Sequence, residues 1–160
     1  MAISYDLDMA TPFPAAEVAR ELHAVARAAG LLDASVTPEL IVDEGAVTGH
    51  GTWIRVGEET PRSWNAVITD LGFTPTVSVT FRLGKTHDMP GQQDDMARLV
   101  SGLLTRVSGD AVLHRDFEDI WLLRRGGDLS LSESPDLWPA RRLAAVSQLY
   151  RRATHAFSDE

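Results

Sequence analysis

Apolar and polar residues alternate from the start of this chain. Ile3, Tyr5, Leu7 and Met9 fall on one side and Ser4, Asp6 and Asp8 on the other, the period of two of a half-buried strand. Thr11, Pro12 and Pro14 break the alternation, and from about Ala15 the residues Val18, Leu22, Val25 and Ala29 recur at helical spacing. Gly30 stops that helix. After a polar loop, Thr48, His50, Thr52, Ile54 and Val56 alternate with Val47, Gly49, Gly51, Trp53 and Arg55. This reads as a second strand whose glycines mark a bulge or a close backbone approach. Glu58 to Pro75, with Pro61, Trp64 and Gly72, reads as loop with one short strand over Ala66 to Leu71.

The pattern is clearest from Thr76 to Ser132. Val77, Val79, Phe81 and Leu83 alternate with Ser78, Thr80 and Arg82, which predicts a strand with one apolar and one wet face. Met96, Leu99, Val100, Leu103, Leu104 and Val107 then predict a core-facing helix from about Pro90 to Val107, ended by Gly109. Ala111 to Arg115 and Ile120 to Arg125 read as strands, and Gly126-Gly127 supplies the positive φ values of a two-residue hairpin turn. In that register Ile120, Leu122, Leu129 and Leu131 share a face, and Arg125 sits opposite Asp128. Leu143, Val146, Tyr150, Ala153 and Phe157 predict a last amphipathic helix, with Asp136 and Pro139 as its start signals.

Strand, helix, two strands, helix, two or three strands, helix is an α+β order. Packing the helices on one face of a mostly antiparallel sheet buries every stripe. The expected architecture is a ferredoxin-like core with an added hairpin and a C-terminal helix. Residues 1–160 show no repeat or linker and read as a single domain, long enough at 44% hydrophobic to bury its own core.

Composition removes several chemistries. The chain has no cysteine, which excludes disulfides, zinc-thiolate sites, iron–sulfur clusters and thiol nucleophiles and suits a reducing cytoplasm. Asp6 and Asp8 interrupt any signal-like apolar run, and no segment approaches the roughly 20 apolar residues of a membrane span. A cytoplasmic protein without a membrane partner is expected. The net charge of −8 argues against a nucleic-acid partner, because phosphate neutralisation needs a broad basic surface. Acid is concentrated early: residues 1–60 hold ten carboxylates against Arg20, Arg27 and Arg55. Pro139 to Phe157 instead carries Arg141, Arg142, Arg151 and Arg152 and no acid.

Motifs for catalysis are missing. His23, His50, His87, His114 and His155 form no HxxxH or HxH pair, so no metal is expected. His114 with Asp116, Glu118 and Asp119 is the most metal-like group, but on a strand Asp119 points away from His114. Among His87, Asp88, Asp94 and Asp95, the last two belong to a helix's first turn, where carboxylates are favoured without any ligand. No serine sits in a GxSxG elbow, and Gly49, Gly51 and Gly57 make neither a dinucleotide fingerprint nor a phosphate loop. The residues nominate no enzyme and no cofactor.

Four stretches carry a resemblance instead: Asp70 to Leu83 (DLGFTPTVSVTFRL), Gln92 to Val100 (QQDDMARLV), Gly109 to His114 (GDAVLH) and Phe117 to Arg125 (FEDIWLLRR). With the opening Ile3 to Leu7, they resemble the small actinobacterial and myxobacterial proteins of a Sit-type immunity family. The resemblance implies a non-enzymatic protein that binds a cognate bacterial toxin and occludes it, and it transfers no catalytic residue. An acidic protein of this kind suits a basic toxin, since complementary charge speeds encounter. The candidate contact residues are the carboxylates of loops and strand ends, Asp43, Glu44, Glu58, Glu59, Asp116, Glu118 and Asp119. Trp121 joins them, since it falls opposite the Ile120 and Leu122 face. The alternative is a small-molecule or regulatory binding module with a pocket between sheet and helices near Trp53 and Trp64.

Overall fold

The opening alternation forms strand β1 (Ala2–Ala10) in the computed structural model, which describes residues 2–158. Pro14 leads into helix α1 (Ala15–Ala28), which buries Val18, Ala19, Leu22 and Ala26. A short helix α2 (Pro38–Asp43) follows where a loop is expected. Its signal is local: Thr37 caps it by accepting from the Leu40 amide (3.2 Å), and Pro38 fills the first helical position.

The single strand expected over Val47 to Val56 is a hairpin. Ala46–Val47 (β2) folds back on Thr52–Glu58 (β3) around a turn at Thr48 to Gly51. The glycines therefore serve a reversal, with Gly51 at φ 95°, rather than a bulge. The short strand expected over Ala66 to Leu71 is a π-helical turn, Val67–Leu71, closed by Gly72. Strand β4 (Val77–Gly84) and helix α3 (Met89–Arg106) follow the expected bounds closely. A methyl group at Gly102 of α3 would lie 2.5 Å from Val25, so glycine there lets α1 and α3 approach.

Strands β5 (Asp110–Arg115), β6 (Asp119–Arg125) and β7 (Asp128–Leu131) complete the meander. Gly126 and Gly127 have φ of 55° and 83° and Arg125 faces Asp128, as the diglycine turn requires. The register between β5 and β6 shifts: Leu113 faces Leu122, but His114 faces Ile120. Trp121 is the extra residue of this bulge. It lies on the same side as Leu122, and Ile120 lies on the other.

The expected C-terminal helix is a single short one, α4 (Ala140–Leu143). The chain then runs extended as β8 (Arg151–Arg152), parallel to β7, and Ala156 bridges to Asp119.

The eight strands form one sheet of order β2-β3-β4-β1-β5-β6-β7-β8, antiparallel except for β7–β8. Within it β3-β4-β1-β5, linked through α1 and α3, is the ferredoxin-like arrangement. Tyr5, Leu7, Met9, Val79, Phe81 and Leu83 meet α1 and α3 in the principal core. The reverse face is covered over one half only. There Val67, Leu71 and Phe73 from the π-helical turn and its exit, with Phe157 from the tail, close over Val112, Ile120 and Leu123. Over β3, β4 and the facing part of β1 none of the described residues forms a second covering layer.

The basic C-terminal stretch is tied inward. Arg142 is buried and donates to Asp94 (2.7 Å) and to the Leu137 carbonyl (2.7 Å), while Arg141 reaches the other Asp94 oxygen (3.0 Å). Arg151 pairs with Asp128 (2.9 Å). No helix among the described residues is long and apolar enough to cross a membrane.

Candidate functional site

The open half of the reverse face carries a cleft of about 310 Å³ lined by residues of β1, β3 and β4 together with Glu59 and Phe117. Strand register builds it. Asp6 faces Thr80 and His114, Asp8 faces Ser78, and Gly57 faces Ser78 from the far side. The wet positions of three strands thus form one row of Asp6, Asp8, Ser78 and Thr80, with Arg55 at the edge.

Each carboxylate here has a different environment. Asp8 is buried and accepts from Nε2 of the fully buried His114 (2.8 Å). Nδ1 of that ring accepts the Phe117 amide (3.1 Å), so the ring donates through Nε2. Asp6 accepts from the Thr80 hydroxyl (3.0 Å). Burial foremost, then the neighbouring Asp8 carboxylate, push the Asp6 carboxyl above its usual range, outweighing the Thr80 hydroxyl and the His114 ring. Glu59 is also pushed up, by burial first and then by Asp8 and Asp6. Among the described residues no lysine or arginine pairs with Asp6, Asp8, Glu58 or Glu59. The cleft gathers carboxylates that no lysine or arginine ion pair neutralises among the described residues, in partly desolvated surroundings, which favours a cation.

The expected contact residues divide. Glu58 and Glu59 line the cleft, and Asp116 lies near enough to raise Asp6. Glu58 has a second task, because its Oε1 accepts the Ala15 amide (3.0 Å) at the start of α1, where a carboxylate suits the helix dipole. Glu118 and Asp119 flank Arg115 at 3.5 and 3.6 Å, at the end of the β5–β6 hairpin rather than in the cleft. Asp43 and Glu44 end α2, and their carbonyls take Arg55 (3.4 Å) and the Trp53 indole (3.1 Å). Trp121 is no surface residue. The bulge turns it into the core at 1% exposure, edge-on to Tyr5 (5.2 Å) and Trp138 (6.1 Å).

Sequence reasoning missed Asp6, Asp8 and Thr80, and weighed His114 only as part of a metal-like group. The signal of the first three was the polar side of β1 and β4, but only the pairing of strands far apart in sequence joins them to each other and to His114 on β5.

Trp53 and Trp64 do not share a pocket. Trp53 stacks under the Arg82 guanidinium (4.7 Å), while Trp64 lines a separate hollow. A cavity of about 550 Å³ opens between the end of α3 and the β6–β7 turn, lined by Phe13, Leu104, Val107, Leu129 and Arg124 among others. The Arg124 guanidinium is committed there to the carbonyls of Leu104, Val107 and Gly109 (2.6–2.7 Å), satisfying the free end of α3.

Neither metal-like group of the sequence assembles. His114 is taken by Asp8 and the Phe117 amide, Asp95 pairs with His50, and Asp94 with the two arginines. No group of three potential ligands gathers among the described residues. Ser130 meets His155 at 3.1 Å, but its hydroxyl donates to the Leu123 carbonyl (3.3 Å).

No curated protein and no solved structure matches this chain. The SitI3-like family model matches residues 3–142, from β1 into α4, a span that contains every carboxylate of the cleft. The chain belongs to the SitI3-like family.

Proposed function

We propose that this protein is an immunity protein which binds a cognate bacterial toxin on the open half of its sheet and neutralises it by occlusion, without catalysis, in the cytoplasm of the cell it protects. The family's name points to immunity. One observation carries the location: three strands gather Asp6, Asp8, Glu58 and Glu59 at one open cleft, where burial first and then the Asp8 carboxylate push both Asp6 and Glu59 above their usual carboxyl range. A partner's cation placed there relieves both strains. The toxin face that docks is accordingly basic, and encounter is accelerated by charge.

Co-expression with the product of the gene beside this one tests this. Protection of the host and a complex of the two proteins are expected. Reversing Glu59 and Asp116 to lysine should slow association at least about tenfold at low salt and flatten its salt dependence, since such charges act through encounter rate. Protection that survives both reversals with unchanged rates places the toxin on another face; absence of protection and complex overturns the immunity reading.

A further inference from the structure

Beside the carboxylate cleft lies a second hollow of about 300 Å³, lined by Arg62, Trp64, Asn65, Ala66 and Phe117. Phe117 lines both hollows, so the two share one residue as a boundary. Trp64 is 71% exposed and Phe117 43%, and large aromatic side chains left in water on one patch mark an interaction surface. Phe117 is also fixed in place. Its backbone and that of Asp116 are left-handed, with φ of 59° and 50°, and its ring stacks on His114 (4.5 Å) and meets Phe157 edge-on (5.5 Å). The Arg62 guanidinium lies 5.5 Å from the Trp64 ring.

We infer that the two hollows form one docking surface for a protein segment in which a lysine or arginine is followed by an apolar side chain. The cation enters the Asp6–Glu59 cleft, and the apolar group lies between Trp64 and Phe117. This deepens the proposed function and rests on it only for the partner's identity. Charge complementarity selects the occupant. Among the described residues the cleft carboxylates have no lysine or arginine ion-pair partner, and Arg55, which lines their edge beside Gly57, gives its Nε to the Asp43 carbonyl. The space of about 310 Å³ is on the order of ten water molecules, which admits one extended basic side chain. A phosphate-bearing partner is repelled by the same charges. A lone cation would use the cleft but leave the Trp64 hollow bare, whereas a basic–apolar pair fills both against an aromatic wall that needs no rearrangement.

Capped tripeptides report on this directly through amide and indole proton shifts at low ionic strength. Acetyl-Leu-Arg-Leu-amide is expected to bind with a Kd on the order of millimolar, moving the amides of Glu59 and Thr80 together with the Trp64 indole N–H. Acetyl-Gly-Arg-Gly-amide should move only the cleft resonances and bind about fivefold more weakly. Acetyl-Leu-Glu-Leu-amide should leave all of them in place. Trp64→Ala, at an exposed position, should remove the advantage of the leucine peptide, and Glu59→Gln should weaken both arginine peptides. Equal binding of the leucine peptide by Trp64→Ala and parent overturns the inference, as does the absence of shifts at these residues up to about 10 mM peptide. A protein that protects its host yet ignores the peptides loses this surface and keeps its proposed function. Peptide shifts without protection do the reverse.

Discussion

Glu59 illustrates how a residue can be legible in type and illegible in setting. Its place after a strand identifies it as a loop carboxylate, but its neighbours Asp6 and Asp8 are some fifty positions away in sequence. Only the pairing of β1 with β4, and of β4 with β3, puts them beside it. The setting has a measurable sign. An acid whose folded pKa is raised above its ordinary 4.5 is charged in the folded protein at a penalty the unfolded chain does not bear. That penalty is fully present at neutral pH and vanishes once both states are protonated. Glu59→Gln should therefore stabilise the protein modestly at pH 7, with a higher Tm than the parent, the effect being reduced by partial exposure. The gain should fade toward pH 4, and thermal melts across that range would show it. A variant less stable than the parent at pH 7 would mean that the glutamate is stabilised by its surroundings.

At the scale of elements, spacing succeeded where an element buries one stripe and failed where long-range pairing chose the conformation. β1, β4, α1 and α3 each show one apolar face, and each was readable from that face. The tail was not, because Leu143, Val146, Tyr150, Ala153 and Phe157 fit a helical stripe equally well. Isolated short helices are marginal in water, and the tail gains more by pairing: the Ala153 amide donates to the Leu131 carbonyl (2.9 Å) and Arg152 to the Ser132 carbonyl (2.7 Å). It thereby covers the edge of β7, which would otherwise be an open pairing site. The bulge that buries Trp121 has no local signature either, since one inserted residue changes which face every later side chain takes. Removing residues 151–160 tests the tail. The helical circular dichroism of the molecule should persist, while Tm falls because Phe157 no longer covers Val112, Ile120 and Leu123. A loss of helical signal equivalent to several turns would restore the helix expected from the sequence.

For the whole molecule, the ferredoxin-like order was readable because strands and helices alternate in a sequence that few topologies accommodate. The proposed site was not, because it lies where the second covering layer stops, and no residue marks that limit. The principal core bears the stability. Phe81 and Leu103 are fully buried on opposite sides of the sheet–helix interface, so either change to alanine should cost about 2–5 kcal/mol. Chemical denaturation of both variants measures this, and midpoints within error of the parent would show that these two faces do not meet.

The half-covered sheet has a consequence for how such a protein can change. On β3, β4 and β1 the side chains that hold the core and those that meet the open face are alternate residues of the same strands. The inward set is committed to packing, while most of the outward set touches little beyond solvent and one another. Substitutions at outward positions such as Arg55 and Ser78 are therefore nearly neutral for folding, as exposed positions generally are. On the function proposed above, recognition can drift on this surface without the scaffold being retuned, so that one toxin could be exchanged for another by altering a few outward side chains of three strands. The exceptions are Asp8 and His114, which are outward-facing yet buried and bonded to each other. They are the fixed hinge-pins around which such drift has to occur.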